Sequence, residues 1–429
     1  MDGVKRLLAG MVLMAVAVGA MYGYTFVRRD ARYREYIAQG DAALAQDANS
    51  AAIEAFSGAI AVKPEAMLGY LKRGEIYRKR GEYEAAMRDL RRAADLDPTA
   101  TRPMEALGDI NLALKRYSRA AERYRDYLRV DDRSSRVLYK LAYARYNDGH
   151  APDALEPLQR AIALDDRFAE AYYLLGLCQR DAQHPDLARR ALEQSIALQP
   201  AMLHAREELA DLYGSLGRTD ARLAQLEALA ALDPRASRDI ALGNAYADAG
   251  QPERAVLALG HAAERYPETP AAYVALGRVW LEIAQARNDR VALSKALGAL
   301  EGAVGSDDSS EALTLFGHAL LLTKDAESAE RMLQDATERE PVDPLAFYYL
   351  ADAAERLGHY DTARQALLSY ITLRGDDADP HRAAAESVRL ADLSWRAHDT
   401  AAAAKYIDRA LQADPGNARA LALRKRLQS

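Results

Sequence analysis

The stretch MLGYLKRGEIYRKRGEYEAAMRDLRRAADLDP, from Met67 to Pro98, contains the pattern that decides the fold. Small residues stand at its eighth and twentieth positions, Gly74 and Ala86, and a proline closes it. Apolar residues recur three or four apart, as on one face of a helix, and Gly81 interrupts them in the middle. The stretch therefore predicts two short antiparallel helices. Its large residues at positions four, eleven and twenty-four are Tyr70, Tyr77 and Leu90.

The same frame continues along the chain of 429 residues, with units 34 residues apart five times and then 33, 34, 40, 34 and 40 apart. A frame that persists this far indicates one repeat array, which the length alone would not distinguish from two or three domains. The units begin at Tyr33, Met67, Thr101, Ser135, Ala169, Leu203, Ala236, Pro270, Ser310, Pro344 and Ala384.

Small residues hold two positions in almost every unit. Seven of the eleven residues at position eight are Gly and the others are Ala, and position twenty is Ala everywhere except Arg222. Such residues let two helices approach closely where they cross. One helix pair cannot bury its own apolar face, so the stack is the folding unit.

These positions resemble the tetratricopeptide repeat family, and the resemblance covers residues 33–417. It implies an all-α fold: a right-handed superhelical solenoid of about eleven helix-turn-helix repeats. Residues 418–429 are too few for another pair and predict one capping helix, with Leu421, Leu423 and Leu427 facing inward.

Some units depart from the pattern. Arg222 at position twenty predicts a looser crossing or an arginine that reaches solvent, and Asn111 and Arg145 replace tyrosine at position eleven. Extra residues fall in two places, 284–295 and 378–383. The first insertion predicts additional helical turns.

The first residues differ from the rest. Leu7–Val27 is an uncharged run of 21 residues, which as a helix would measure about 31 Å and match the hydrocarbon core of a bilayer. We expect a transmembrane signal anchor in residues 1–27, followed by a basic linker, 28–32. The alternative is a signal peptide cleaved after Ala20.

The sequence gives conflicting signals about the side of the membrane on which the repeats lie. A short basic start before an apolar run is the usual form of an export signal, whereas the four arginines after the run oppose export by the positive-inside rule. We expect a bacterial inner-membrane protein with its repeats in the periplasm; cytoplasmic repeats, or a cleaved and soluble periplasmic protein, are the alternatives. Gly19 and Gly23 form a Gly-x-x-x-Gly motif, which favours self-association of helices in a membrane. A homo-oligomer is therefore a possible state of the protein.

The sequence offers no catalytic pattern. It has no metal-binding His-Glu-x-x-His pair, no phosphate-binding loop and no Gly-x-Ser-x-Gly elbow. Its one cysteine, Cys178, excludes a disulfide framework, and the net charge of −6 argues against a nucleic-acid partner. We expect a protein that is not an enzyme and has no catalytic residue, no cofactor, no metal and no nucleic-acid partner.

The family resemblance implies that partner peptides or proteins bind in a concave groove lined by the first helix of each repeat. Tyr139, Tyr143 and Tyr146 stand at i, i+4 and i+7 and share one helix face, and Tyr173 repeats the position of Tyr139 one unit later. With Arg180 they form the predicted partner-binding site. The alternative is that these tyrosines only pack in the fold.

The function expected from these features is a membrane-tethered scaffold that organises an envelope assembly, such as a secretion, polysaccharide-export, pilus or cytochrome-assembly machine. Two alternatives are an obligate accessory subunit of a membrane complex and a cytoplasm-facing adaptor. An enzyme carried by the repeats is disfavoured, because the repeats use almost every residue after the anchor.

Overall fold

A computed structural model describes the backbone of residues 2–375 and 379–428, and the side chains of these residues except 2–9 and 12. Within these ranges the chain forms 23 helices and no strand. The helices are α1 (Asp2–Ala45), α2 (Asn49–Val62), α3 (Met67–Lys79), α4 (Tyr83–Leu96), α5 (Thr101–Ala113), α6 (Tyr117–Val130), α7 (Ser135–Asn147), α8 (Ala151–Leu164), α9 (Ala169–Asp181), α10 (Pro185–Leu198), α11 (Leu203–Ser215), α12 (Thr219–Leu232), α13 (Ala236–Asp248), α14 (Pro252–Arg265), α15 (Pro270–Arg287), α16 (Arg290–Val304), α17 (Ser310–Leu322), α18 (Ala326–Thr337), α19 (Pro344–Leu357), α20 (Tyr360–Arg374), α21 (Pro380–Arg396), α22 (Thr400–Ala413) and α23 (Ala418–Gln428).

The helices pair as the repeat frame predicts, and we call the two helices of a pair A and B. Nine predicted starts, from Met67 to Pro344, coincide with the first residue of an A helix. The exceptions are the first unit, whose start at Tyr33 lies inside α1, and the last, where α21 begins at Pro380 instead of Ala384. The chain divides into two compact units, unit 1 (Met1–Leu212) and unit 2 (Tyr213–Ser429).

The crossing of A and B helices depends on the small residue at position eight. A methyl group placed on Gly108 would lie 2.4 Å from the ring of Tyr124, at position twenty-four of the same repeat, and one on Gly40 would lie equally close to Phe56. The Gly residue thus forms the hollow that receives the large side chain. Where position eight is alanine, as at Ala142, the residue in the same core cluster is aliphatic. For three of the four alanines, Ala142, Ala351 and Ala391, the aliphatic residues at position twenty-four are Leu158, Leu367 and Ile407.

Position twenty behaves as predicted: its ten alanines are fully buried. The Arg222 stem lies beside Gly214, where an added methyl group would meet it at an ordinary van der Waals distance of 3.4 Å. The Arg222 side chain is 37 % exposed and lies 3.9 Å from Asp248. The expected alternative in which the arginine reaches solvent is therefore confirmed.

The turn between A and B helices contains a left-handed residue in every repeat. In five repeats this residue is glycine, with φ between 66° and 82°: Gly81, Gly149, Gly217, Gly250 and Gly358. Six other repeats place a larger residue there, for example Lys115 with φ 55°. Glycine is the residue that adopts this conformation without steric cost, but the turn forms without it.

The two insertions lengthen helices. Helix α15 has 18 residues against 13 in most A helices, so the predicted extra turns are present, and it ends at the left-handed Asn288. The second predicted insertion begins at Ala378, which lies outside the described residues, and its remainder forms the first turn of α21.

The last helix packs as a cap, with one correction. Leu423 is buried and Leu427 packs against the same cluster, together with Ala420. Leu421 was expected to face inward and is 48 % exposed. The prediction was wrong because Ala420, and not Leu421, occupies the inward position on this face of α23.

The predicted anchor and basic linker are parts of one continuous helix. Residues 28–32 lie inside α1, where Asp30 pairs with Lys63 and Arg29 pairs with Glu65 from the segment between α2 and α3. No helix among the described residues is long and apolar enough to cross a membrane. The side chains of residues 7–9 and 12, which belong to the predicted span, lie outside the described set.

We predict that Gly108→Ala lowers the free energy of unfolding by about 1–3 kcal/mol, because the new methyl group would overlap the buried ring of Tyr124. Gly74→Ala is the matched control, since its methyl group would meet Leu90 at the milder distance of 3.0 Å. Urea unfolding followed by circular dichroism measures both. Equal losses in the two variants would show that the hollow at position eight does not set the packing.

Candidate functional site

Helices α7 and α9 of unit 1 position the predicted site. Helix α7 begins after Ser134, whose hydroxyl accepts a hydrogen bond from the backbone N–H of Val137 at 3.3 Å and caps the helix. The three tyrosines of α7 lie on one face. The ring centroids of Tyr139 and Tyr143 are 6.2 Å apart, so the predicted stripe exists as a contact and not only as a spacing.

Tyr139 forms the base of this surface. Its ring lies between Tyr143 and Phe168, with the Phe168 centroid 5.0 Å away, and it packs against the core cluster of Ala142 and Leu174. Burial, together with the neighbouring Tyr143 and Glu170, raises the pKa of Tyr139 to about 12. Its phenol therefore stays neutral under ordinary conditions, and most of the side chain serves the fold.

Tyr146 and Tyr173 are also partly buried against the same cluster. Burial raises the pKa of Tyr146 to about 12, assisted by the hydrogen bond that its hydroxyl donates to Asp181. Burial and the charge of Glu208 raise the pKa of Tyr173. For these two residues, the structure supports the packing role that the sequence left open.

Arg180 is committed to neighbouring carboxylates. Its guanidinium pairs with Asp181 at 2.9 Å and with Glu208 of α11. Burial lowers the pKa of Arg180, but the hydrogen bonds to Asp181 and Glu208 raise it by more, so that the net shift is upward. Arg180 therefore bridges α9 to α11. Its charge is already balanced, which the sequence prediction did not foresee.

Tyr143 is the exposed member of the set, with 38 % of its surface accessible. It is held from behind by Tyr139, and the side-chain amide of Asn147 donates to the Tyr143 carbonyl at 2.8 Å. The structure thus brings the five predicted residues onto one surface, but it divides them into a buried base and one accessible ring. We call this surface the Tyr143 surface.

The rim of the Tyr143 surface is acidic. Glu170 and Asp181 are exposed and Glu207 and Glu208 are partly exposed, and Arg180 adds a single positive charge to these four carboxylates. Sequence reasoning missed both this rim and Phe168. The signal for Phe168 was available, because it directly precedes a repeat start where earlier units have Ala66, Ala100 and Ser134.

The described residues show no group of three or more His, Cys, Asp or Glu that could hold a metal ion. Burial raises the pKa of the Cys178 thiol to about 12, so it is not a nucleophilic thiolate at neutral pH. The arrangement around Tyr143 offers a contact surface and no reactive group.

Comparison with family models identifies the class. A tetratricopeptide repeat model matches residues 37–101, 105–167, 139–183, 240–311 and 314–383, and a second model of that description matches residues 169–202. These matches cover more than half of the chain. The chain belongs to the tetratricopeptide repeat family.

A curated relative is the small glutamine-rich tetratricopeptide repeat-containing protein 2 of Mycosarcoma maydis, 29 % identical over 110 residues. The match spans 26 % of this chain and 31 % of that relative, so the chain covers less than a third of the relative's length.

Solved structures of repeat proteins are similar over parts of the chain. MamA is 26 % identical with a TM-score of 0.37, covering 37 % of this chain and 94 % of its own. YrrB, described as a TPR protein with an unusual peptide-binding site, is 22 % identical with a TM-score of 0.40, covering 43 % and 96 %. The pilF protein of Pseudomonas aeruginosa is 24 % identical with a TM-score of 0.39, covering 49 % and 96 %. At these TM-scores the similarity carries no functional information.

We predict that Tyr139→Ala and Tyr143→Ala differ in stability although both remove one phenol ring from the same helix face. Tyr139→Ala should lower the free energy of unfolding by about 2 kcal/mol, since a half-buried aromatic leaves a cavity. Tyr143→Ala should cost less than about 1 kcal/mol, as exposed positions usually do. Chemical denaturation measures the free energy of unfolding of both variants. If Tyr143→Ala lowers it as much as Tyr139→Ala does, Tyr143 belongs to the core.

Proposed function

We propose that this protein is a scaffold that binds a segment of a partner protein on the Tyr143 surface. The observation that carries the proposal is an exposed tyrosine ring on a base that is fixed by packing. Such a ring loses little freedom when a partner covers it, and tyrosine is among the residues that most often dominate binding energy. Membership of a repeat family whose folds bind peptides and proteins agrees with this role.

The rim indicates the chemistry of the partner segment. Four carboxylates lie near the buried tyrosines of this surface, and Arg180 supplies one positive charge against them. The surface therefore attracts positive charge. We infer a segment that places an apolar or aromatic side chain on Tyr143 and Lys or Arg side chains next to Glu170, Asp181 and Glu207. Such complementarity guides association more than it adds affinity, and salt weakens it.

We further propose that residues 7–27 tether the scaffold to a bacterial inner membrane, with the repeats in the periplasm, where it organises an envelope assembly. In the described part of this segment the large apolar side chains are exposed, including Met11, Leu13 and Met14 at 62–71 %. Exposed apolar side chains along such a segment favour a lipid or protein environment over water. Because α1 continues without a break into the first repeat, the tether would hold the repeats rigidly.

We predict that Tyr143→Ala strongly reduces partner recovery while leaving the fold intact. The tagged full-length chain is purified from membranes and co-purified proteins are compared for the wild type, Tyr143→Ala and Leu187→Ala. Leu187 is the matched control, because it is an exposed apolar side chain (48 %) on the B helix of the neighbouring repeat. Truncating Tyr143 should reduce recovery on the order of tenfold or more.

Two results would speak against the Tyr143 surface. One is equal loss of recovery in the Leu187 control. The other is unchanged recovery in Tyr143→Ala when its melting temperature is also unchanged. A photoreactive amino acid at position 143 gives an independent readout, since the same partner should form a covalent adduct there and not at position 187.

We predict that the full-length chain stays in the membrane pellet after carbonate extraction, because residues 7–27 remain inserted in the bilayer. In spheroplasts, added protease should degrade the repeats, which places them outside the cytoplasm. A mature chain that begins at Met21 and enters the soluble fraction would show cleavage after Ala20 instead. Repeats that resist protease until the spheroplasts are lysed would show the cytoplasmic orientation.

A further inference from the structure

A crevice in unit 2 is lined mainly by a B helix and so differs from the concave groove, which the A helices line. It has a volume of about 350 Å³, and five of its eight lining residues belong to the B helix α14. The other three, Asp239, Leu242 and Tyr246, hold positions four, seven and eleven of the A helix α13. Leu242 and Tyr246 pack in a core cluster to which the preceding B helix, α12, contributes Leu223. We call this space the α14 crevice.

The crevice is open because position four of the seventh repeat lacks a large side chain. In the eighth repeat the residue at this position, Tyr273, reaches the preceding B helix, where its hydroxyl donates to the carbonyl of Ala263 at 3.2 Å. Asp239 is too short to fill the corresponding place. The other small residue at position four, Ser387, is only 4 % exposed, so its place is closed. Nine repeats carry a large side chain at position four: Tyr36, Tyr70, Met104, Leu138, Tyr172, Arg206, Tyr273, Leu313 and Phe347.

One end of the α14 crevice has balanced charges. Arg254 lies over the ring of Tyr246, 4.2 Å from its centroid, and donates to Glu227 of α12 at 2.9 Å. The Tyr246 hydroxyl donates to the same carboxylate at 2.7 Å. Next to this end the walls are apolar, with Leu242 on α13 and Leu257, which is 60 % exposed, on α14. Covering Leu257 with an apolar group would remove this surface from water, which is favourable.

The other end carries charges of both signs. It is lined by Asp239, His261 and Arg265. Burial raises the pKa of Asp239, although the charges of Arg265 and His261 act to lower it. Among the described residues, Asp239 has no hydrogen-bond or ion-pair partner, and no carboxylate oxygen lies within 4 Å of a nitrogen of Arg265 or His261. An anionic and a cationic side chain thus line the same end without forming an ion pair.

We propose that the α14 crevice binds a small zwitterion with an aromatic side chain, of the chemical class of phenylalanine. The ammonium group of the ligand pairs with Asp239, and its carboxylate pairs with Arg265. Its ring lies between Leu242 and Leu257, and so supplies the large side chain that position four lacks. The ligand is thus of a different class from the protein segment proposed for the Tyr143 surface.

The charges and the size of the crevice both favour such a ligand. A simple anion would be repelled by Asp239 and a simple cation by Arg265, whereas a molecule that carries both charges is attracted by both side chains. The volume of about 350 Å³ lies at the lower end of the range of small-molecule sites, roughly 300–1,000 Å³, as expected for a ligand with a single ring.

The first test measures binding of radiolabelled L-phenylalanine to the purified full-length chain by equilibrium dialysis. Three unlabelled competitors each lack one part of the ligand: phenylpropionate lacks the ammonium group, phenylethylamine lacks the carboxylate, and glycine lacks the ring. We expect phenylalanine to bind. Each competitor should bind at least about tenfold more weakly than unlabelled phenylalanine, because a charge-assisted hydrogen bond or the burial of the ring is lost.

The second test uses variants of the same chain. Asp239→Asn should weaken phenylalanine binding on the order of tenfold, because the ammonium group loses its counter-ion. Asp248→Asn is the matched control, since it makes the same change at an exposed position of α13 that does not line the crevice, and it should leave binding within about twofold of the wild type. Asp239→Tyr places the side chain of other repeats at position four and should reduce binding below detection without lowering the melting temperature.

Melting curves establish that every variant is folded. The proposal would be overturned by a lack of phenylalanine binding, by phenylethylamine or phenylpropionate binding as well as phenylalanine, or by equal effects of Asp239→Asn and Asp248→Asn. Undiminished binding to a folded Asp239→Tyr variant would overturn it as well. Because the ligand is a small molecule and the crevice belongs to unit 2, failure here leaves the test of the Tyr143 surface unaffected, and the reverse also holds.

Discussion

The structure depends on one steric constraint, the close crossing of two helices within each repeat. The constraint pairs position eight with position twenty-four. The two aromatic residues at position twenty-four, Phe56 and Tyr124, both face glycine, and the ring atoms lie where a methyl group would have to be. Repeats with alanine at position eight, such as Ala142, face an aliphatic residue instead. In five other repeats glycine faces leucine, and a methyl group on Gly243 would lie 2.4 Å from Leu259. Position eight is therefore small whether its partner is aromatic or aliphatic, which lets the two helices of a repeat approach closely.

The stack leaves the faces of the A helices free to vary, and the Tyr143 surface uses this freedom. In unit 1, large aromatic residues fill the face, and one of them, Tyr143, stays accessible within an acidic rim. In unit 2, by contrast, Ala385 of α21 and Ala422 of α23 line one cavity together with three arginines. Surfaces of different chemistry thus occur in one chain with one repeat pattern.

The sequence predicted most of the fold because the repeat pattern depends on local spacing. Nine helix starts followed from residues within each unit, and Arg222 reached solvent as one of two expected alternatives. The left-handed turns followed only where the residue is glycine. The residues of the site were predicted, but their burial and ion pairs were not, because these depend on contacts between repeats. The partner of Arg180 is Glu208 on the next A helix, and no spacing rule specified that pair. The sequence analysis also missed that α1 continues through residues 28–32. A run of arginines predicts a linker, and the ion pairs that Arg29 and Asp30 make with other parts of the chain are not visible in the sequence.

The most direct test of the account is a double-mutant cycle on the crossing of the third repeat, with Gly108→Ala, Tyr124→Leu and the two combined. The double variant recreates the pairing of Ala142 with Leu158 that the fourth repeat already uses. Because the fourth repeat accommodates Ala142 beside Leu158, we predict that Gly108→Ala is destabilising beside Tyr124 but much less so beside Leu, with a coupling free energy of at least about 1 kcal/mol. Additive effects of the two substitutions would contradict the account, because the crossing would then not depend on the fit between positions eight and twenty-four.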